Sequence, residues 1–349
     1  MGWLWLFGPW LGCSTFFGAA DGGSEGAPAV TAPSPSPSPS PSPKKHRRAR
    51  SDDEDIDVIG AFSPAEDPCA ASEHPGLYTF DQTVDGQASH ALLFVPPGPG
   101  PHDLVVILHG GTSTPERILS QTRFVDRATA DGFAVLAPSA AVMGDKGAHW
   151  NSGKFDGKVH GGRDDVAFLD DITASAKAAV CGKRVLSAGF SSGGQMAHRW
   201  GCEGKEPDAV LSAAGELLVD PAGCTPRPVR GYVGTQDKVF DGPPLEGSDQ
   251  PSAVQTIELW AKLNGCSDAP PVIETSEDAA CRKYQGCAHA TELCVVDGFP
   301  HGWPSPTSRR KPTRCDATAD GMRWFEGAVK APAPAPAAPA KGGKKRGRG

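Results

Sequence analysis

Gly189-Phe190-Ser191-Ser192-Gly193 sets a serine between two glycines at the spacing of a tight strand-to-helix turn. A serine hydroxyl is a weak nucleophile at neutral pH, so it needs a base, and the base needs a carboxylate to hold its tautomer. Downstream, Gly234-Thr235-Gln236-Asp237 offers the carboxylate and Gly298-Phe299-Pro300-His301-Gly302-Trp303 the imidazole. Both follow apolar runs, so both are expected in loops at the carboxyl edge of a sheet, where open α/β sheets place their ligands. Serine, then acid, then histidine is also one of the known chain orders of serine hydrolases. The chemistry implied is acyl transfer, with Ser191 as nucleophile, His301 as base and Asp237 as the acid that orients it. Leu108-His109-Gly110-Gly111 closes another apolar run and has the glycines that let a backbone approach a reacting atom. Backbone N–H groups of Gly111 and Ser192 are the expected oxyanion donors, with His109 a structural hydrogen-bonding residue.

The G-x-S-x-G pattern alone is weak, because Gly22-Gly23-Ser24-Glu25-Gly26 matches it inside a linker-like stretch. Context separates the two. Arg184–Ala188 reads as a strand running into Gly189, and Gly193-Gly194-Gln195-Met196 opens a helix.

The remaining elements alternate in the same way. Leu104–Leu108, Phe133–Ala137, Ala209–Ala213, Val229–Val233 and Leu293–Val296 read as strands. Helices are expected over Pro115–Ala130, Asp164–Val180, Ala253–Leu263 and Ala317–Val329. Alternation of this kind predicts an α/β fold with a mostly parallel central sheet covered by helices on both faces, in one domain over residues 68–330. Asp164 and Asp165 are read as first-turn residues capping the Val166 helix. Trp200, Trp260 and Trp324 are expected in the core.

The ends differ from this body. Residues 1–20 are uncharged, apolar and closed by small residues, which suggests a signal peptide; Leu11-Gly12-Cys13 loosely matches a lipoprotein signal, with lipidation at Cys13 as the alternative. Either route exports the chain. Residues 21–67 hold a Ser-Pro repeat followed by basic and acidic runs, and residues 331–349 an Ala-Pro and basic tail; both compositions suit disordered segments. The whole chain carries −7, its first 57 residues −2 and its last 20 residues +6, which leaves −11 for the body. An acidic body is not that of a nucleic-acid binder. Among the 10 cysteines, none has zinc-ribbon spacing, so disulfides are expected in an exported chain. Cys202–Cys224 is the best local pair; Cys266 with Cys281 or Cys287, and Cys294 with Cys315, follow, and the odd number after Cys13 leaves at least one thiol over. No metalloprotease helix motif, EF-hand loop or P-loop occurs, so no metal or cofactor is implied. Oligomeric state is open.

LHGG, AHWN (Ala148–Asn151), DDVAFLDDI (Asp164–Ile172), GFSSGGQMAHRWGCE, GTQD and PHGWP occur in one order. Together they resemble the secreted polyhydroxybutyrate depolymerase-like and family one carbohydrate esterases, which include feruloyl and acetylxylan esterases, over about residues 75–327. The resemblance implies an α/β-hydrolase fold, the Ser191–His301–Asp237 triad, oxyanion donors at Ser192 and Gly111, and Trp150 and Trp303 lining the substrate cleft. Pro300 departs from the glycine usual before the histidine, and Gln236 stands where family members vary; both touch the cleft and leave substrate choice open. The reading is an exported serine esterase acting on small esters or oligomeric polyester or polysaccharide esters. The absence of a polymer-binding repeat favours short or soluble esters over crystalline polymer. An α/β-hydrolase-fold peptidase and a non-catalytic envelope-binding protein are the rival readings.

Overall fold

Leu104, Val106 and Leu108 pack into one apolar cluster and Val105 and Ile107 into a second, so this strand is buried on both faces. An unbroken apolar run is therefore the signature here of a parallel strand sandwiched between helix layers. The computed structural model describes residues 57–62, 69, 73–84, 87–142, 147–155, 158–159, 162–238, 251–276 and 278–329. The expected signal segment with Cys13, most of the linker and the basic tail lie outside them.

The strands of the main sheet are β1 (Gly60–Ala61), β2 (Gly76–Thr79), β3 (Ala91–Val95), β4 (His102–Leu108), β5 (Ala134–Pro138), β6 (Gly182–Phe190), β7 (Ala209–Ala213), β8 (Val229–Gly234), β9 (Val272–Ser276), β10 (Ala279–Lys283) and β11 (Thr291–Val296). Their order is β1-β2-β3-β5-β4-β6-β7-β8-β11-β10-β9. The six strands from β5 to β11 in that order are parallel, and antiparallel pairs flank them on both sides. β1, which precedes residue 68, pairs with β2 at the edge. The strands β1, β2, β3, β9 and β10 were not anticipated. β9 is exposed along its length, so its sequence carries no burial pattern to read.

The helices are α1 (Pro115–Thr122), α2 (Phe124–Asp131), α3 (Asp165–Ala179), α4 (Ser192–Glu203), α5 (Ala253–Leu263) and α6 (Ala317–Ala328). α3, α4 and α5 cover one face through Phe168, Leu169, Met196, Trp200, Ile257 and Trp260. α1, α2 and α6 cover the other through Ile118, Leu119, Phe124, Met322 and Phe325. Each fully buried side chain of this size contributes roughly 1.5–3 kcal/mol, so loss of either layer would expose the sheet. Trp200, Trp260 and Trp324 are all buried, as expected.

The single helix expected over Pro115–Ala130 is two helices. Arg123 adopts φ 59°, ending α1 and starting α2 in a new direction. The physical reason lies in α6. Its Thr318 hydroxyl donates to the Thr122 carbonyl at 2.5 Å, taking an acceptor that a continuous helix would need. The turn swings Phe124 inward against Phe133 and Trp303.

Among the described residues four disulfides are present: Cys69–Cys181, Cys202–Cys224, Cys266–Cys287 and Cys281–Cys294. The expected Cys294–Cys315 pair is not formed. Cys281 and Cys294 face each other in register across β10 and β11, and Cys315 is a free thiol that burial pushes up to about 12. No helix of the described residues is long and apolar enough to cross a membrane.

Candidate active site

Ser191 stands between β6 and α4 with φ 56° and ψ −123°, a conformation costly for a residue with a side chain. The surrounding backbone enforces it. A Cβ on Gly189 would lie 2.1 Å from the Gly193 carbonyl oxygen, and one on Gly193 would lie 2.1 Å from the Leu108 carbonyl oxygen. Both glycines are required because strand, turn and helix cross at backbone contact. The Ser191 N–H donates to the Ala213 carbonyl at 3.0 Å, which ties the turn to β7.

His301 follows β11 in a loop, and its Nε2 lies 3.0 Å from Ser191 Oγ. Its Nδ1 lies 2.8 Å from Asp237 Oδ2, in the loop after β8. The Asp237 side chain is 2% exposed and that of His301 35%, so the acid is sealed while the imidazole meets solvent. An Nδ1–H donated to the carboxylate leaves Nε2 free to accept the serine proton. The three groups, separated by up to 110 residues in sequence, thus form one hydrogen-bonded line. The His301 ring lies 5.0 Å from that of Phe190, and Arg310 donates to the His301 carbonyl at 3.0 Å. These contacts hold the loop from both sides.

Gly111 faces the start of α4: a Cβ there would lie 3.5 Å from Ser192 Oγ. A Cβ on the preceding Gly110 would lie 3.5 Å from Ser191 Cβ, so the glycine loop runs beside the N-terminal end of α4, where the helix dipole favours negative charge. His109 is fully buried, donates from Nδ1 to the Gly110 carbonyl at 2.8 Å and accepts at Nε2 from Ala140 N–H at 3.1 Å. Burial holds its pKa below the usual imidazole range, so it is a neutral strut of the glycine loop.

Of the two tryptophans expected in the cleft wall, Trp150 lies elsewhere and Trp303 lines the cavity beside His301. Trp150 is 1% exposed; its indole packs on His109 and donates to the His109 carbonyl at 2.9 Å, beneath the glycine loop rather than in a cleft. Trp303 borders the cavity beside His301, yet is also 1% exposed and donates to Thr318 Oγ1 at 3.0 Å. Apolar rings next to glycine loops found interior partners for their N–H groups, and burial won over exposure to a ligand. Asp164 caps α3 as expected, accepting from the Ala167 N–H, while buried Asp165 pairs with Arg163 and accepts from the Asn151 N–H.

Sequence reasoning overlooked Glu216. It is buried behind the elbow, with Oε2 accepting from Gln195 Nε2 of α4 at 2.8 Å. Burial, reinforced by the negative charge of Asp237, pushes its carboxyl up to about 7. A lone glutamate between Gly215 and Leu217 carries no motif, so nothing in the local sequence marks it.

Residues 105–340 match the Alpha/beta hydrolase family, and the chain belongs to that family. Feruloyl esterase B of Piromyces equi is 30% identical over 193 residues, 48% of this chain and 34% of that protein, so this chain spans about a third of that relative's length. The acetyl xylan esterase from Aspergillus awamori superposes with a TM-score of 0.52 at 14% identity, over 72% of this chain and 99% of that one. Likeness at that identity concerns the fold.

Proposed function

We propose that the chain is an exported serine carboxylic-ester hydrolase. The observation that carries the reading is the unbroken line from Ser191 Oγ through His301 to the sealed carboxylate of Asp237. Ser191 Oγ attacks the ester carbonyl carbon while its proton passes to His301 Nε2. The oxygen of the tetrahedral intermediate takes hydrogen bonds from the backbone N–H groups of Ser192 and Gly111. As the carbon–oxygen bond to the alcohol breaks, His301 returns the proton to the departing oxygen, leaving an acyl-Ser191. Water, deprotonated by the same His301, then releases the acid. Asp237 stays ionised and stabilises the imidazolium in both halves.

The similarity to a feruloyl esterase supports esters of plant polysaccharide as one substrate class; oligomers of hydroxybutyrate are the other class the sequence motifs suggest. The disulfides support an oxidising, extracellular setting. The test is hydrolysis of p-nitrophenyl acetate and butyrate by the full chain beside Ser191→Ala, before and after a serine-directed phosphonate. The expected result is loss of about 10³-fold or more in kcat in the variant, with the label on Ser191. Equal rates in both proteins without label would overturn the reading.

A further inference from the structure

Two consecutive glycines face two consecutive serines across the site. A Cβ on Gly110 would lie 3.5 Å from Ser191 Cβ, and one on Gly111 would lie 3.5 Å from Ser192 Oγ. Ser192 serves the mechanism above through its backbone N–H alone, yet it carries a hydroxyl that alanine would lack. That oxygen is buried and, among the described residues, has no hydrogen-bond partner. A buried hydroxyl left unpaired lowers stability, so packing gives no reason for serine at this position.

There is room beside it. A Cβ on Gly111 would meet Ser192 Oγ and His149 Cε1 at 3.5 Å and His149 Nδ1 at 3.6 Å, all ordinary contacts. One further heavy atom therefore fits against Gly111, between the hydroxyl and the imidazole. This seat is about half an ångström beyond O–H···O bonding distance from Ser192 Oγ. It lies against the two residues whose backbone N–H groups are assigned to the oxyanion.

We propose, resting on the serine-esterase reading, that the Ser192 hydroxyl is a third donor to the oxyanion, which makes Ser192 a catalytic residue through its side chain as well as its backbone. As Ser191 Oγ bonds to the carbonyl carbon, the π electron pair moves onto the carbonyl oxygen, and Ser192 Oγ–H donates to it. The proton stays on Ser192. The bond is released when the carbonyl re-forms and the alcohol leaves with the proton from His301, and the cycle repeats when water attacks acyl-Ser191. The hydroxyl is unpaired in the free enzyme and gains its acceptor as negative charge develops. Its contribution therefore falls on kcat rather than KM. Closure from bulk water strengthens the bond.

The experiment uses the full chain with p-nitrophenyl acetate and butyrate. Ser192→Ala keeps the backbone N–H and removes only the hydroxyl. Its kcat is expected to fall about 10²-fold, with KM nearly unchanged and a urea midpoint equal to or above that of the unmodified chain. Inhibition by an alkyl trifluoromethyl ketone, which forms an anionic adduct on Ser191, should weaken by a similar factor. Gly111→Ala also keeps its N–H but seats a methyl where the oxygen would bind. It should lose about tenfold or more in kcat, and adding Ser192→Ala to it should cost little further. Full activity in Gly111→Ala overturns the proposal even if Ser192→Ala does not fold. Undiminished kcat in Ser192→Ala, beside Ser191-dependent turnover, overturns the third donor and leaves the esterase standing. So does a loss confined to KM, or one matched by a lower urea midpoint with ketone binding unchanged. No Ser191-dependent hydrolysis of any ester overturns both.

Discussion

Gly234 and Phe299 join the acid loop to the histidine loop at backbone contact: a Cβ on Gly234 would lie 1.9 Å from the Phe299 carbonyl oxygen. The same carbonyl accepts the Gln236 N–H at 3.0 Å, one residue before Asp237 and two before His301 in their respective loops. The spacing of acid and base is therefore set by the chain itself, not by the side chains alone.

Gly234→Ala should accordingly damage the site more than the fold. Overpacking against backbone costs about 1–3 kcal/mol, and a displacement of about 1 Å between reacting groups costs about 100-fold in rate. Gly327→Ala in α6 has open space around its Cβ and serves as the control, with stability unchanged or raised by up to about 1 kcal/mol. Ester hydrolysis and urea midpoints of the two variants measure both effects; a fully active Gly234→Ala would refute the coupling.

Asp237→Asn removes the charge and offers an amide where the imidazole needs an acceptor. The ring can then present its proton at Nε2, toward Ser191, in the tautomer unable to take the serine proton. A fall of about 10⁴-fold in kcat is expected with the fold retained. Circular dichroism beside steady-state kinetics checks it, and a loss under tenfold would remove Asp237 from the relay.

Glu216 gives a pH dependence with a definite sign. Its carboxyl is raised from an ordinary 4.5 to about 7 by burial, so the folded protein binds more protons than the unfolded chain between those values. Stability contributed by this group must fall as pH rises from 4.5 to 7, by about 3 kcal/mol in total. Glu216→Gln keeps an acceptor for Gln195 and abolishes the titration. Urea midpoints across pH 4.5 to 8 should show a flatter profile in the variant and greater stability above pH 7. Parallel profiles would show that the carboxyl does not titrate there.

Thr318 relays a hydrogen bond from the Trp303 indole to the Thr122 carbonyl, linking the histidine loop to the α1–α2 corner. Thr318→Val leaves a buried donor and a buried acceptor without this partner. A loss of about 2–6 kcal/mol is expected from two such groups at about 1–3 kcal/mol each, read as a lower denaturant midpoint. An unchanged midpoint would mean that the corner is held by packing of Phe124 alone.

Several elements were legible without coordinates because their signals are local. The buried parallel strands read as unbroken apolar runs, and α3 began at Asp164, whose side chain does cap it. Other features depended on registers that no local pattern encodes. Cys281 meets Cys294 because β10 and β11 align them, which displaced the pairing expected with Cys315. α1 breaks at Arg123 because a threonine nearly 200 residues later takes a helix carbonyl.

By itself the sequence determined the α/β alternation, the strand-to-helix turn at Ser191, and the order in which an acid and a histidine follow it. Those are consequences of apolar period, glycine placement and chain order, all short-range properties. Only the tertiary structure decided that Ser191, His301 and Asp237 lie within hydrogen-bond reach, that Trp150 turns inward beneath His109, and that arginines from α1, its C-terminal cap and the His301 loop share one wall. The reason is that a folded chain must match buried polar groups and volumes across distant segments at once.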